Sequence, residues 1–343
     1  MNKFSTLELF AGAGGMALGM ELAGFHHLFL NDFDQSACNT LKINRPQWNV
    51  SCGDIREISF EKYHNTVDLV TGGFPCQAFS YSGKRLGFED TRGTLFYEFA
   101  RCIREVNPKM FLAENVKGLL KHDNGRTLDT ILTTFRELGY YVYNPNVFNA
   151  NHYGVAQKRE RIIIVGVRID LKDKILWSVP ETTTSPVLKD IFFKGQYYNQ
   201  DVSSIISPGI QYSEYKKKFY QYIGEGENWN KLPQNLKEEY MGTLLHSGGG
   251  KTGVLGRLSM SKASPTILTS PSQKQTERCH PLEVRPINIR ESARIQSFPD
   301  DWIFTGSVMN QYKQIGNAVP VQLAYILGVH IKKQLEKFYE NNQ

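Results

Sequence analysis

The chain has 343 residues, of which 41% are hydrophobic and 22% are charged, and its formal net charge is +6. This length allows a full core and indicates one large domain with a smaller one. No apolar run is long enough to cross a bilayer, and the first ten residues lack the order of a secretory signal, so we expect a cytoplasmic protein with no membrane partner. The five cysteines include no C-x-x-C pair, which argues against a disulfide framework or a metal site.

The first half of the chain alternates β-branched or aromatic runs with amphipathic stretches. The runs predict strands at residues 6–10, 28–31, 67–71, 110–113, 142–148 and 161–167. The amphipathic stretches predict helices at residues 16–23, 35–42, 95–106 and 127–138. This order predicts an α/β fold with a doubly wound, mostly parallel sheet.

A second, smaller and irregular domain is predicted after residue 171, where the alternation fades into a region rich in Tyr, Lys, Ser and Gly. Helical patterning returns at residues 289–296 and 321–335. We therefore assign residues 1–179, completed by 306–343, to the large domain and residues 180–305 to the second domain and its hinge.

A glycine turn, Gly12-Ala13-Gly14-Gly15, connects the first predicted strand to the first helix. Such a turn lets the backbone approach a nucleotide-type ligand, and Asp32, about 20 residues on, could accept hydrogen bonds from ribose hydroxyls. S-adenosylmethionine and NAD both carry such a ribose, whereas a turn needed only for packing is the alternative. Asp54 could take an adenine amino group, but by itself it is better explained as a helix cap.

Three candidate catalytic positions follow predicted strands. Cys76 follows the third strand, which places a thiol at the carboxyl edge of the sheet, although a lone cysteine is more often a buried structural residue. Glu114 follows the next strand and could donate a proton to a base, or pair with Lys117 or Lys121. Arg159 and Arg161 are expected on one strand face, where they could hold a phosphate or an oxygen or orient Glu114, unless they form a solvated edge.

Seven sequence blocks stand in a characteristic order: residues 9–15, 73–77, 90–94, 114–116, 157–161, 290–296 and 314–320. Together they resemble the bacterial DNA cytosine-5 methyltransferases of type II restriction–modification systems, over the whole chain. The resemblance implies the S-adenosylmethionine-dependent methyltransferase fold. A single block carries little weight, but the ordered set is highly specific.

The resemblance implies that Cys76 adds to C6 of a cytosine while Glu114 protonates or hydrogen-bonds N3, so that C5 takes the methyl group. The cytosine must leave the helical stack, and residues 80–93 look like the family's loop over the flipped base. Contacts to S-adenosylmethionine carry over onto Phe10, Ala11, Gly12, Gly15, Asp32, Phe33, Asp54, Ile55, Pro75, Leu95, Asn317 and Ala318. Members often have Glu then Trp where this chain has Asp32 then Phe33.

Target recognition in the family comes from the variable region, here residues 180–285. The expected DNA contacts are Ser80, Ser82, Arg92, Lys251, Arg257 and Thr266. The expected partner is double-stranded DNA, bound by a monomer. A cognate restriction endonuclease would share the DNA target but need not bind the chain.

Three other functions account for only part of these features. An NAD-dependent oxidoreductase explains Asp32 and the glycine turn but leaves Cys76 and Glu114 without a role. A catalytically silent DNA-binding module leaves the intact Pro75-Cys76-Gln77 unused. A transfer RNA methyltransferase of the same family would have little need of a long base-reading insertion, which favours DNA.

Overall fold

The computed structural model describes residues 4–75, 95–181, 184–246 and 252–340. These residues form two compact units. The sheet unit takes its residues from Met1–Ala150, Glu160–Glu181 and Val321–Gln343, and the second unit takes its residues from Asn151–Arg159 and Thr182–Pro320. These bounds differ from the sequence assignment, because residues 151–159 and 306–320 make their contacts inside the second unit.

The strands of the described residues are β1 Phe4–Leu9, β2 Phe25–Asp32, β3 Val50–Cys52, β4 Leu69–Gly72, β5 Met110–Val116, β6 Tyr140–Val142, β7 Asn146–Asn149, β8 Gln157–Lys158, β9 Glu160–Arg168 and β10 Ser264–Pro265. The α-helices are α1 Gly15–Ala23, α2 Gln35–Asn44, α3 Leu95–Val106, α4 Arg126–Glu137, α5 Leu188–Phe192, α6 Glu214–Tyr220, α7 Gln234–Met241, α8 Ile289–Ile295, α9 Val308–Asn317 and α10 Val321–Glu340. None of the described helices combines the length and the apolar composition that a membrane span requires.

The sheet unit is built on one mixed sheet in the order β3-β2-β1-β4-β5-β9-β6, with β7 also paired to β9. Strands β1 to β5 pair in parallel, whereas β9 is antiparallel to β5, β6 and β7. The chain passes from β1 to β2 and β3 on one side and then returns to β4 and β5 on the other. The predicted doubly wound, mostly parallel α/β fold is thus confirmed.

The core of the sheet unit lies between the sheet and helices α3 and α4. It is dominated by aromatic rings, including Phe99, Phe111 and Phe135, each with no exposed surface. The rings of Phe111 and Phe135 have centroids 4.2 Å apart. This dense packing fixes the positions of β4 and β5, whose carboxyl ends carry the candidate catalytic block.

One predicted strand is wrong in detail. The run at residues 142–148 forms two short strands, β6 and β7, and both pair with β9. Pro145 lies between them; it lacks a backbone N–H and cannot continue the ladder as a donor. The sequence patterns did not predict strands β3, β8 and β10 or helices α5, α6, α7 and α9.

The second unit contains the short parallel pair of β8 and β10 and a separate hydrophobic cluster around Phe219, Tyr220 and Leu255. A buried carboxylate, Glu277, lies in this cluster and contacts Lys216 and the hydroxyl of Tyr220. The limited regular structure agrees with the irregular patterning of the sequence.

Candidate active site

The topological switch point of the sheet lies between β1 and β4, which are neighbours although the chain visits β2 and β3 between them. Leu9 on β1 is level with Gly72 on β4, and Gly72 is level with Ala113 on β5. β1 and β4 therefore end side by side, and the last three residues of β5, Glu114–Val116, extend past this edge beside the segment that follows β4. Open α/β sheets bind ligands at this crevice.

The turn after β1 has an unusual backbone. Phe10 has a φ of 58° and Gly12 a φ of 53°, and a β-carbon added at Gly12 would meet nothing within 4 Å. Left-handed conformations of non-glycine residues are concentrated at functional sites. The backbone of Gly12 thus faces open space, as a surface that receives a ligand requires.

Asp32 shapes this turn directly. Its Oδ2 accepts a hydrogen bond from the Gly12 N–H at 2.7 Å, and its Oδ1 accepts one from Asp34 N–H at 2.8 Å. Burial raises the pKa of the Asp32 carboxyl above its ordinary value. The sequence pattern predicted Asp32 only as a ligand contact, but in the structure its carboxyl group also stabilises the glycine turn through the hydrogen bond from Gly12.

The residues beside Asp32 differ in what they can offer. Phe33 exposes 77% of its surface at the end of β2, so an aromatic face is open to a ligand. Asp54 caps the short helical turn Ile55–Glu57 by accepting from Arg56 N–H, as the cap interpretation predicts. Its carboxylate also hydrogen-bonds the Arg56 guanidinium, which lowers the pKa of Asp54 to about 2. The Ile55 side chain is buried in the core.

The other expected cofactor contacts fall in both units. In the sheet unit, Ala11 and Gly15 are buried, Pro75 is exposed, and Leu95 is the half-buried first residue of α3. In the second unit, Asn317 is the exposed last residue of α9 and Ala318 is its buried C-cap.

Five of the expected site residues lie outside the described residues: Cys76, Ser80, Ser82, Arg92 and Lys251. Among the described cysteines, Cys38, Cys102 and Cys279 are fully buried. Burial raises the pKa of the Cys102 thiol well above its ordinary value and raises the pKa of Cys279 to about 11. These thiols are poor sources of a thiolate at neutral pH.

Glu114 and Arg161 form an ion pair across β5 and β9. The guanidinium Nε of Arg161 lies 2.8 Å from Glu114 Oε1, and each side chain exposes 12% of its surface. The second oxygen, Oε2, would lie 2.9 Å from a β-carbon added at Gly73. Any larger residue at position 73 would therefore force this carboxyl group to move away from the segment that leads to Cys76.

Asn115, which the sequence analysis did not single out as a site residue, holds the same segment. Its Nδ2 donates to the Phe74 carbonyl at 2.9 Å, and the side chain is buried. Its Oδ1 accepts from the Val116 N–H at 2.8 Å. The only sequence signal for this contact was its place between Glu114 and Val116. Asn115 thus fixes the backbone two residues before Cys76.

The two arginines of residues 157–161 do not share a strand. Arg161 lies in β9, but Arg159 precedes that strand, belongs to the second unit, and is buried with Nη1 3.5 Å from the Ile267 carbonyl. The expected alternation on one strand face is therefore wrong, because the strand begins only at residue 160. The alternative of a Glu114–Lys117 pair is also not seen, since Lys117 Nζ lies 2.8 Å from Glu160.

In the second unit, two expected DNA contacts already have internal partners. Thr266 Oγ1 donates to the Lys158 carbonyl at 2.8 Å. Arg257 donates from Nη1 to the Ile223 carbonyl at 2.7 Å and from Nε to the His280 carbonyl at 3.3 Å. Both side chains remain partly exposed. Any reading of DNA by Arg257 must therefore use the part of its guanidinium that these carbonyls leave accessible.

Comparison with known proteins identifies the family of the chain. The family described as C-5 cytosine-specific DNA methylase matches residues 4–333. The chain belongs to this family. It is therefore a DNA (cytosine-5-)-methyltransferase. This activity excludes the alternatives of an NAD-dependent oxidoreductase and a catalytically silent DNA-binding module. The substrate of the family is double-stranded DNA.

Relatives of this methyltransferase come from bacterial restriction–modification systems. It is 52% identical over 337 residues to the type II methyltransferase M.Eco47II of Escherichia coli, covering 98% of this chain and 80% of that protein. It is 47% identical to M.Sau96I of Staphylococcus aureus, with 98% and 77% covered. A crystal structure assigned as a prophage-encoded DNA modification methyltransferase of E. coli matches with a TM-score of 0.70 and 25% identity, covering 97% of this chain and 99% of that one.

Proposed function

We propose that this chain binds S-adenosylmethionine and methylates C5 of one cytosine within a specific DNA sequence, through a covalent bond from Cys76 to C6. The observation that carries the proposal is the Glu114–Arg161 pair, held over Gly73 at the switch point. It brings a carboxyl group to the start of the segment that supplies the nucleophile. Because C6 and N3 are shielded in a duplex, the cytosine must be flipped out of the stack.

The residues present fit the proposed cofactor. The open surface over Gly12, the exposed ring of Phe33 and the partly exposed carboxylate of Asp32 lie at the ends of β1 and β2. Asp32 would accept from ribose hydroxyls and Phe33 would lie against the adenine ring. The other proposed contacts are Phe10, Ala11, Gly15, Asp54, Ile55, Pro75, Leu95, Asn317 and Ala318. S-adenosylmethionine supplies the methyl group when bound.

The proposed chemistry begins when the Cys76 thiolate adds to C6 of the cytosine. Glu114 hydrogen-bonds or protonates N3, so the electron pair moves toward C5, which becomes nucleophilic. After C5 is methylated, a solvent water takes the C5 proton, and the electron pair of that C–H bond restores the C5–C6 double bond as the C6–S bond breaks and the thiolate is released. Arg161 orients the Glu114 carboxyl group through Oε1, and the other oxygen, Oε2, carries the proton that is donated to N3. Arg159 is proposed to hold a phosphate or an exocyclic oxygen of the substrate.

Sequence recognition is proposed for the second unit. Thr266 and Arg257 are the described candidates, and Ser80, Ser82, Arg92 and Lys251 are further proposed contacts with DNA. We further propose that the chain acts as a monomer and protects DNA from a restriction endonuclease that recognises the same sequence.

The test is covalent trapping. Duplex DNA that carries 5-fluorocytosine at the target should form a stable adduct in the presence of S-adenosylmethionine, because fluorine cannot leave as the proton does. Cys76→Ser should abolish the adduct. Cys52→Ser, which removes a partly exposed thiol at the end of β3, is the matched control and should trap DNA like the parent. An adduct that survives Cys76→Ser but not Cys52→Ser would reassign the nucleophile.

A further inference from the structure

Two buried amide side chains form a hydrogen-bonded chain through the second unit. Gln157 Oε1 accepts from the Ile267 N–H at 2.9 Å, and Gln157 Nε2 donates to Gln296 Oε1 at 2.8 Å. Gln296 Nε2 donates to the carbonyls of Ile315 at 2.7 Å and Ala318 at 3.0 Å. Neither glutamine has exposed surface. The chain of bonds thus runs from residue 267 to the end of α9.

This arrangement requires an amide at both positions. Gln157 must accept from one neighbour and donate to another, and its second N–H donates to the Ile295 carbonyl at 3.3 Å. Gln296 uses both of its N–H groups on carbonyls while its oxygen accepts. A carboxylate cannot donate, and an apolar side chain can do neither, so either would leave buried polar groups without partners.

A second contact joins the same two segments without the glutamines. A β-carbon added at Gly316 would lie 2.4 Å from the Leu268 carbonyl oxygen and 2.7 Å from Thr269 N. The backbone at residues 268–269 therefore lies directly against the end of α9. On its other side, Arg278 Nη2 donates to the Thr266 carbonyl at 2.7 Å. Residues 266–269 cannot shift far without moving the helix end.

We propose that Gln157 and Gln296 are positioning residues that couple DNA recognition at residues 266–269 to cofactor binding at Asn317 and Ala318. This inference rests on the proposed function, which gives Thr266 a DNA contact and the end of α9 a cofactor contact. When the specific DNA sequence favours one conformation of residues 266–269, the hydrogen bonds of both amides favour the matching conformation of the backbone at Ala318. The two ligands should then strengthen each other's binding by the same factor.

The experiment measures this factor by calorimetry with S-adenosylhomocysteine, alone and with the specific duplex, whose sequence is first obtained by bisulfite sequencing of DNA from expressing cells. In the parent, the duplex should tighten S-adenosylhomocysteine binding about 5–150-fold. In Gln157→Met and Gln296→Met the factor should fall at least about threefold, and the backbone contact at Gly316 keeps the remainder, while each ligand bound alone keeps its affinity within about threefold. A purely structural loss would instead weaken both separate affinities.

Gln314→Met is the matched control. Gln314 is buried on α9 and donates to the Thr305 carbonyl at 2.9 Å, but the chain of bonds does not include it. It should keep the parental coupling at a comparable loss of melting temperature. If Gln157→Met does not fold, Gln157→Asn takes its place. Asparagine keeps the amide but its side chain is shorter, so the coupling factor should also fall.

The outcomes separate the two proposals. A parent that does not bind S-adenosylhomocysteine contradicts the proposed function itself. A parent that binds both ligands without coupling, or folded glutamine variants that keep the parental factor, would overturn the positioning role alone.

Discussion

The Nε of Arg161 lies 2.8 Å from Oε1 of Glu114 although the two residues are on different strands. Glu114 on β5 is level with Ile163 on β9, so Arg161, two residues from Ile163, lies diagonally across on the same face. The register of this antiparallel pair thus decides which basic group orients the carboxyl group.

Glu114 and Arg161 should act as a unit. Glu114→Gln should lower the single-turnover rate of methyl transfer about 10²–10⁴-fold, because the group that assists at N3 is weakened. Arg161→Met should also slow transfer, and the double variant should be little slower than the slower single variant, because both changes damage one interaction. Lys117→Met, which breaks an exposed pair with Glu160, is the control and should keep the rate. Fully multiplicative losses would contradict the unit.

Gly73 should not tolerate substitution by alanine. In Gly73→Ala the added β-carbon would lie 2.9 Å from Glu114 Oε2, so the carboxylate must move and single-turnover transfer should slow at least about tenfold. In the control, Gly118→Ala, the β-carbon would lie 3.9 Å from a Val116 methyl group, an ordinary contact. Equal rates for the two variants would show that the carboxylate has room to spare.

Asp32 should be needed for cofactor binding. Asp32→Asn cannot accept hydrogen bonds from both Gly12 and Asp34 N–H groups, so the turn shifts and a ribose acceptor is lost. Calorimetry should show S-adenosylhomocysteine binding weakened about tenfold or more. Asp34→Asn should bind like the parent, because asparagine still caps α2. Unchanged binding in Asp32→Asn would remove Asp32 from the cofactor site.

Glu8 should make stability depend on pH. Burial raises the pKa of Glu8 to about 8, although hydrogen bonds from Thr71 and the Ala17 backbone oppose the shift. Between about pH 4.5 and pH 8 the unfolded chain loses this proton while the folded chain keeps it, so the free energy of unfolding falls as pH rises. Glu8→Gln removes that dependence.

Melting temperatures at pH 5 and pH 8 test the role of Glu8. The melting temperature of Glu8→Gln, compared with that of the parent at the same pH, should be higher at pH 8 than at pH 5. Any loss from the changed hydrogen bond with Thr71 is the same at both values and cancels. A difference between variant and parent that does not change with pH would show that the buried group is not the one titrating.

Short-range sequence patterns predicted much of the fold. The helix predicted at residues 95–106 matches α3, and the predicted strands at residues 28–31 and 161–167 lie inside β2 and β9. The order of the sequence blocks predicted the family before any geometry was known. These features depend on alternation every two residues or on helical spacing, which a linear sequence displays directly.

The sequence by itself determined the family, the doubly wound fold and the residue types of the site, because each is written in local spacing or in the order of blocks. Only the tertiary structure decided that Glu114 pairs with Arg161, that Arg159 belongs to the second unit, and that Gln157 meets Gln296. Gln157 and Gln296 are 139 positions apart in the sequence. Their contact depends on strand register and on packing between distant segments, which local periodicity does not encode.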